Sequence, residues 1–278
     1  MKKISAIVLL IATSFVATAQ ETTAPASNWT KKGTFTFMAN QSTFDNWQAG
    51  GQSNLAGNIG VNYDFNLKKE TLVWDNKLMG SYGLNKIKGQ DTQKSDDRFE
   101  FNSLLGKKAK GLWYYSMFLN FKTQFTDDLK DNPLSSEFMA PAYLQTGLGM
   151  LWKKSDDLKV NIAPATGRFI FVMKDELSNI GAFGVDKGEN VRTELGASVS
   201  GYYKFKAMEN ISVENILNLY SNYLEDAQNV DVDYQLNIVM KINKYFTTNF
   251  AYQTIYDDNA FRGLQTRQVI GLGLNFNF

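Results

Sequence analysis

The chain has 278 residues, its 29 basic and 28 acidic residues nearly balance, and it contains neither cysteine nor histidine. Without these two residue types it cannot form disulfides, bind a metal through imidazole or carry out serine–histidine hydrolysis. The near-neutral charge argues against a nucleic-acid partner, and we expect no enzymatic activity and no cofactor.

The first element is the N-terminal segment MKKISAIVLLIATSFVATAQ. Two lysines are followed by an apolar run from Ile4 to Val16 and by the small residues of Ala17-Thr18-Ala19. This order predicts a secretory signal peptide over 1–19, since the apolar run is too short to span a bilayer comfortably. We expect a periplasmic N-terminal arm over 20–30 and an outer-membrane β-barrel over 31–278.

The rest of the chain alternates apolar and polar residues with a period of two, which indicates β-strands. The last segment is the clearest, because one face carries Gln268, Ile270, Leu272, Leu274, Phe276 and Phe278. Most segments are long enough to cross a membrane as tilted strands. The pattern therefore predicts an all-β fold, a transmembrane antiparallel up-and-down barrel of twelve strands near 31–40, 54–66, 71–85, 97–107, 112–126, 142–153, 158–172, 190–206, 209–222, 230–242, 245–257 and 266–278.

The connections between these segments alternate in length, which is typical of short periplasmic turns and longer external loops. We predict five inner turns and six outer loops, the outer ones spanning about 41–53, 86–96, 127–141, 173–189, 223–229 and 258–265. Trp113 and Trp152 lie near inner turns, where aromatic residues mark a membrane interface. Two alternatives stay open: a periplasmic β-sandwich, and a first segment (31–40) that forms a plug or arm instead of a strand.

Charged residues of both signs fall on the inward positions of the predicted strands. One interpretation is a network of ion pairs across the barrel, since buried charges must be paired or hydrated. The other is a hydrated channel with a charged constriction. Twelve strands are intermediate between a filled barrel and an open pore. The candidate residues for the lumen or constriction are Arg192, Glu194, Glu214, Asp231, Asp233, Lys241 and Arg267.

Two short motifs are more particular than generic barrel patterning. The first contains Phe44, Asn46, Trp47, Gly50 and Gly51, and the second contains Trp74, Asp75 and Asn76. Together they resemble an outer-membrane β-barrel family of Bacteroidota type, known as domain of unknown function 3078. The resemblance implies an outer-membrane barrel and implies no substrate or catalytic residue.

Asn76 is unexpected, because the alternation directs it outward into the lipid zone, where an unsatisfied polar group is unfavourable. We expect either a β-bulge at this position or a partner that covers this wall.

The first functional hypothesis is a small porin or transport channel for small polar solutes. The second is a non-conducting barrel that serves as a structural or accessory subunit of a cell-envelope assembly. A transporter of apolar ligands is disfavoured by the polar inward faces. We expect contacts with outer-membrane lipid and lipopolysaccharide, recognition of Phe278 by the barrel-insertion machinery, and, under the second hypothesis, an envelope protein partner.

Overall fold

The computed structural model describes residues 27–44, 52–129 and 132–278. Within these residues twelve antiparallel strands form a closed barrel, in which neighbours in the chain pair and the last strand pairs with the first. The prediction of a twelve-stranded up-and-down barrel is confirmed. The strands are β1 (Trp29–Ser42), β2 (Asn54–Lys68), β3 (Leu72–Ile87), β4 (Gln93–Lys108), β5 (Trp113–Thr123), β6 (Ala142–Lys153), β7 (Leu158–Phe171), β8 (Val191–Met208), β9 (Ile211–Asn222), β10 (Val230–Lys241), β11 (Phe246–Asp257) and β12 (Phe261–Asn277).

Helical structure in the described residues is confined to one outer connection, which holds α1 (Asp175–Ser178) and a 3-10 turn (Ala182–Gly184). In that part of the chain no helix is long and apolar enough to cross a membrane. The connection packs on the end of the barrel through a buried apolar cluster of Ala140, Ile170, Val172, Leu177 and Val185.

The five inner connections span only 69–71, 109–112, 154–157, 209–210 and 242–245. The outer ones span 43–53, 88–92, 124–141, 172–190, 223–229 and 258–260. The last outer connection is shorter than predicted, because Phe261, Leu264 and Gln265 pair with β11 across a register shift and so extend β12.

The first strand belongs to the barrel wall. It pairs with β2 from Trp29↔Leu67 to Ser42↔Asn54, and with β12 from Thr34↔Asn277 to Ala39↔Leu272. The alternative of a plug or arm for 31–40 is therefore wrong, and β1 begins two residues before the predicted barrel boundary. The predicted signal peptide lies outside the described residues.

The end of β12 closes tightly on a glycine of β1. The Gly33 amide donates to the Phe278 carbonyl at 2.7 Å, and the Phe278 amide donates back to the Gly33 carbonyl at 2.9 Å. A Cβ on Gly33 would overlap the Phe278 ring. Because Gly33 has no Cβ, the Phe278 ring can lie flat against the seam between β1 and β12, where it stacks on Tyr63.

The outer surface of the barrel is apolar over most of its height. On β12, Ile270, Leu272 and Phe276 are exposed at 60%, 51% and 49% of their surface. Trp113 and Trp152 are direct cross-strand partners at the end with the short turns. Apolar outward and polar inward faces with an aromatic rim are the pattern of a membrane barrel.

Candidate functional site: the lumen of the barrel

The middle of the lumen is crossed by an ion pair. The Lys77 ammonium on β3 lies 2.7 Å from the Glu214 carboxylate on β9. These strands are six positions apart in a ring of twelve, so the pair joins opposite walls. Glu214 also accepts hydrogen bonds from the Tyr202 hydroxyl at 2.8 Å and the Asn237 amide at 3.2 Å. The carboxylate is therefore held by groups from three strands besides its own.

A second bridge joins opposite walls beside the first. The Arg98 guanidinium on β4 donates to the Gln235 side-chain oxygen on β10 at 2.8 Å. The same guanidinium pairs with Glu100, which is only 1% exposed. Glu100 in turn accepts from the Asn102 amide at 2.8 Å. A buried carboxylate is tolerable here because a guanidinium and an amide together satisfy it.

A third contact extends the same layer. The Lys122 ammonium on β5 lies 2.5 Å from Asp233 on β10. The other Asp233 oxygen accepts from the Gln253 amide at 2.9 Å. Side chains of β3, β4 and β5 thus reach β9 and β10 directly, and these contacts narrow the lumen at this height.

The outer part of the lumen is organised by Arg168. Its guanidinium is bonded to Asp231 and, at 2.5 Å, to Asp257, and it lies 3.7 Å from Glu194. The guanidinium carbon is 5.1 Å from the ring centre of Tyr220, a cation–π distance. One arginine therefore contacts carboxylates from three strands, a task that suits its planar, multidentate head.

A second arginine extends the outer cluster toward the external loops. Arg192 lies 3.0 Å from Glu194 and 2.7 Å from Glu225, and it donates to the Gly184 carbonyl at 3.1 Å. It therefore ties β8 to two outer connections.

Three carboxylates in the outer part of the lumen have the spacing of metal ligands. Asp231, Asp257 and Asp258 bring oxygens within 4.8 Å of one another. Arg168 already occupies two of them. Two of the three carboxylates are thus already paired with a protein cation.

The inner part of the lumen centres on Asp75. Its carboxylate accepts from the Lys153 ammonium at 2.8 Å and from Lys159 at 2.6 Å. Lys153 also pairs with Asp156 of an inner turn at 2.9 Å. Asp75 belongs to the second sequence motif, and its function in the fold is to hold β6 and β7 against β3.

Two polar cavities remain beside the bridges. The first, of about 270 Å³, opens toward the inner end and is lined by Asn102, Asn120, Gln145 and Ser198 among others. The second, of about 260 Å³, lies between β1–β3 and β10–β12, and the bridge residues Lys77, Glu214 and Gln235 are part of its lining. Lys77 lines both cavities. Asp64 and Lys204 also line both, so the two cavities adjoin each other next to the Lys77–Glu214 bridge.

The structure brings together only some of the predicted lumen residues. Arg192, Glu194 and Asp231 meet in the outer cluster. Glu214 and Asp233 belong to separate cross-barrel contacts in the middle layer.

The two remaining candidates lie elsewhere. Arg267 pairs with Asp96 at 2.6 Å. Lys241 is exposed at the inner rim, and no ion pair is found for it among the described residues. A single constriction formed by all seven candidates is therefore not what the barrel contains.

Sequence reasoning missed several partners that complete these contacts. Lys122 and Asp257 were not assigned to the lumen, although the alternation of β5 and β11 points both inward. Arg168, the centre of the outer cluster, was not among the lumen or constriction candidates either. The alternation of each strand was the only available signal, and it carries no information on which opposing residues meet.

The first motif is described only in part. Phe44 donates its backbone amide to the Ser53 hydroxyl at 2.9 Å, while Asn46, Trp47, Gly50 and Gly51 lie outside the described residues.

Asn76 of the second motif lies on the same face as the exposed Trp74, and the expected β-bulge is not found there. The register of β2 and β3 is unchanged across this position, although Phe65 and Asn66 make no ladder pair there. The Asn76 side chain donates to the Phe65 carbonyl at 3.0 Å and accepts from the Ser103 hydroxyl at 2.8 Å. Ser103 in turn accepts from the Trp74 indole N–H at 2.8 Å. The polar groups on this wall thus satisfy one another, and Asn76 is only 2% exposed.

Residues 39–128 match the family model described as "Protein of unknown function (DUF3078)". This match confirms the resemblance that the two motifs indicated. No curated protein matches the chain.

Several solved structures share the barrel architecture. The translocator domain of the autotransporter NalP from Neisseria meningitidis is 8% identical, with 91% of this chain and 89% of that chain covered and a TM-score of 0.35. An outer-membrane channel from Pseudomonas putida F1 is 7% identical, with 91% and 96% covered and a TM-score of 0.39. The outer-membrane phospholipase of Salmonella typhi is 11% identical, with 92% and 94% covered and a TM-score of 0.39. These barrels resemble the present one, and likenesses of this order say nothing about its substrate or activity.

Proposed function

We propose that this protein is an integral outer-membrane barrel with a closed lumen, which serves as a structural or accessory subunit of the cell envelope. The apolar outer face, the polar interior and the aromatic inner rim support a membrane location. The lack of histidine in the sequence supports a non-enzymatic role.

The observation that carries this proposal is the direct contact between opposite walls. Lys77 reaches Glu214 at 2.7 Å and Arg98 reaches Gln235 at 2.8 Å. A porin for polar solutes needs a continuous hydrated path through the barrel. Side chains that meet across the full width obstruct such a path at mid-height. Their charges are also paired, which favours a structural network over a row of ion-binding sites.

A second candidate function is a narrow channel for small polar solutes. The two polar cavities favour it, because they adjoin each other next to the Lys77–Glu214 pair. Under this reading the pair would be a gate, and its opening would join the two cavities.

A liposome-swelling assay separates the two functions. The purified protein is refolded into vesicles, and entry of a pentose and of a tetrasaccharide is followed by light scattering beside an open porin as positive control. We expect no swelling above empty vesicles for the natural protein. The double variant Lys77→Ala/Arg98→Ala should admit the pentose, because both bridges are removed. Pentose entry through the natural protein would replace the closed-barrel proposal by the channel.

A further inference from the structure

The two ends of the barrel carry opposite charge. We count residues in the five inner turns, in the three strand residues on each side of them, and in the three residues at the inner ends of β1 and β12. These positions hold twelve lysines, no arginine and four acidic residues. The six outer connections, with three strand residues on each side, hold fifteen acidic and nine basic residues. The inner end is therefore strongly basic although the whole chain is almost neutral.

The lysines at the inner end surround the barrel. Each of the five inner turns, or the strand end next to it, contributes at least one lysine, and β1 contributes another at the seam. We call six of them, all exposed, the inner lysine ring: Lys31, Lys69, Lys110, Lys154, Lys206 and Lys244.

The members of the inner lysine ring have no acidic partner in the described residues. The ion pairs at this end involve only Lys153 and Lys159, which both bind Asp75. The ring charges are therefore available to an external anion.

Tryptophan side chains share this rim. Trp29, Trp74 and Trp113 lie at the inner ends of their strands and expose 36%, 37% and 41% of their surface. Tryptophan prefers the headgroup level of a bilayer, so the ring lies at the depth of lipid phosphates. Lysine side chains near a membrane end extend their ammonium groups to the same level.

We propose that the inner lysine ring binds the phosphate groups of anionic phospholipids in the leaflet that surrounds the inner end of the barrel. The inference rests on the proposed membrane insertion. A ring around the whole circumference fits lipid headgroups, which surround the barrel, better than a protein partner, which would contact one side. The attraction between one lysine and an anionic membrane surface corresponds to an enrichment of anionic lipid near that lysine on the order of fivefold.

Quenching of tryptophan by brominated lipid tests this binding. The protein, with Trp47 replaced by phenylalanine, is refolded into vesicles of phosphatidylcholine and phosphatidylglycerol. The bromine is carried by one lipid or the other at the same mole fraction. We expect several-fold stronger quenching by brominated phosphatidylglycerol at low salt. The difference should disappear at about 1 M salt, where screening acts within about 3 Å.

Two variants, each with four positive charges removed, show which end of the barrel causes the preference for phosphatidylglycerol. Lys69, Lys110, Lys154 and Lys244 are replaced together by glutamine in the first variant. The control replaces the exposed outer residues Lys86, Lys88, Lys187 and Arg262 by glutamine. The preference for phosphatidylglycerol should fall in the first variant and persist in the control.

The outcomes distinguish this inference from the function on which it rests. Equal quenching by the two brominated lipids would overturn lipid selectivity while leaving membrane insertion intact. A preference that survives in the first variant would overturn the assignment to the ring. Absence of quenching by either lipid would overturn membrane insertion itself. Equal quenching together with ring-dependent capture of an acidic periplasmic protein would assign the ring to a protein partner instead.

Discussion

Replacing Lys77 by methionine removes one half of the ion pair that joins opposite walls of the barrel. Methionine keeps an unbranched side chain of similar length, so the change is mainly one of charge. Glu214 would keep its hydrogen bonds from Tyr202 and Asn237. Its side chain is only 15% exposed, however, and would lose its 2.7 Å counter-charge.

The expected loss of stability follows from that geometry. Removing one partner of a buried ion pair typically lowers the free energy of unfolding by about 3–5 kcal/mol. The two remaining hydrogen bonds and the adjoining cavity reduce the penalty, so we expect about 2–3 kcal/mol for Lys77→Met. The double variant Lys77→Met/Glu214→Gln buries no unpaired charge and should lie within about 1 kcal/mol of the natural protein.

Urea titration of the vesicle-embedded protein, followed by tryptophan fluorescence, measures these differences. Lys241→Met is the matched control, because Lys241 is exposed at the inner rim, and it should change stability by less than about 0.5 kcal/mol. If Lys77→Met were as stable as this control, or if the double variant lost as much stability as Lys77→Met and Glu214→Gln together, the ion pair would not stabilise the barrel in this way.

Three other substitutions address the outer cluster, the lipid-facing wall and the strand packing. Arg168→Met should lower the free energy of unfolding by about 3–5 kcal/mol, because it leaves several buried carboxylates without their shared cation. Arg168→Lys should restore only part of the lost stability. Urea titration in vesicles measures both variants. Asn76→Ala should cost about 1–3 kcal/mol, because the Phe65 carbonyl and the Ser103 hydroxyl lose a partner, and the same titration would contradict this if the loss were below 0.5 kcal/mol. Gly149→Ala places a Cβ against the backbone of β7 and should lower the unfolding temperature, whereas Gly201→Ala, whose nearest neighbour would be 4.0 Å away, should not; heat-modifiability on a gel compares them.

The fold was predictable because a barrel repeats one local rule. Alternation with period two places every second residue outside, and it located all twelve strands. The beginning of β12 was misplaced because Phe261 to Gln265 lie across a register shift from β11, which interrupts the alternation. The wall position of β1 was left open because a short apolar run does not reveal its partner. That partner is β12, more than two hundred residues away.

The site was predictable only in part. Alternation identifies the inward face of Lys77 and of Glu214, but their contact joins residues 137 positions apart in the sequence. Which inward residues meet depends on the tilt and stagger of the closed barrel, and neither is encoded in any single strand. The environment of Asn76 was missed for the same reason, since its partners Phe65 and Ser103 come from the two adjacent strands.

The proposed function requires that the bridges across the lumen keep the barrel closed. Single-channel recording in a planar bilayer tests it most directly, with folding verified first by heat-modifiability. We expect no conductance steps for the natural protein and small, stable steps for Lys77→Ala/Arg98→Ala. Stable steps from the natural protein that are unchanged in this variant would contradict it.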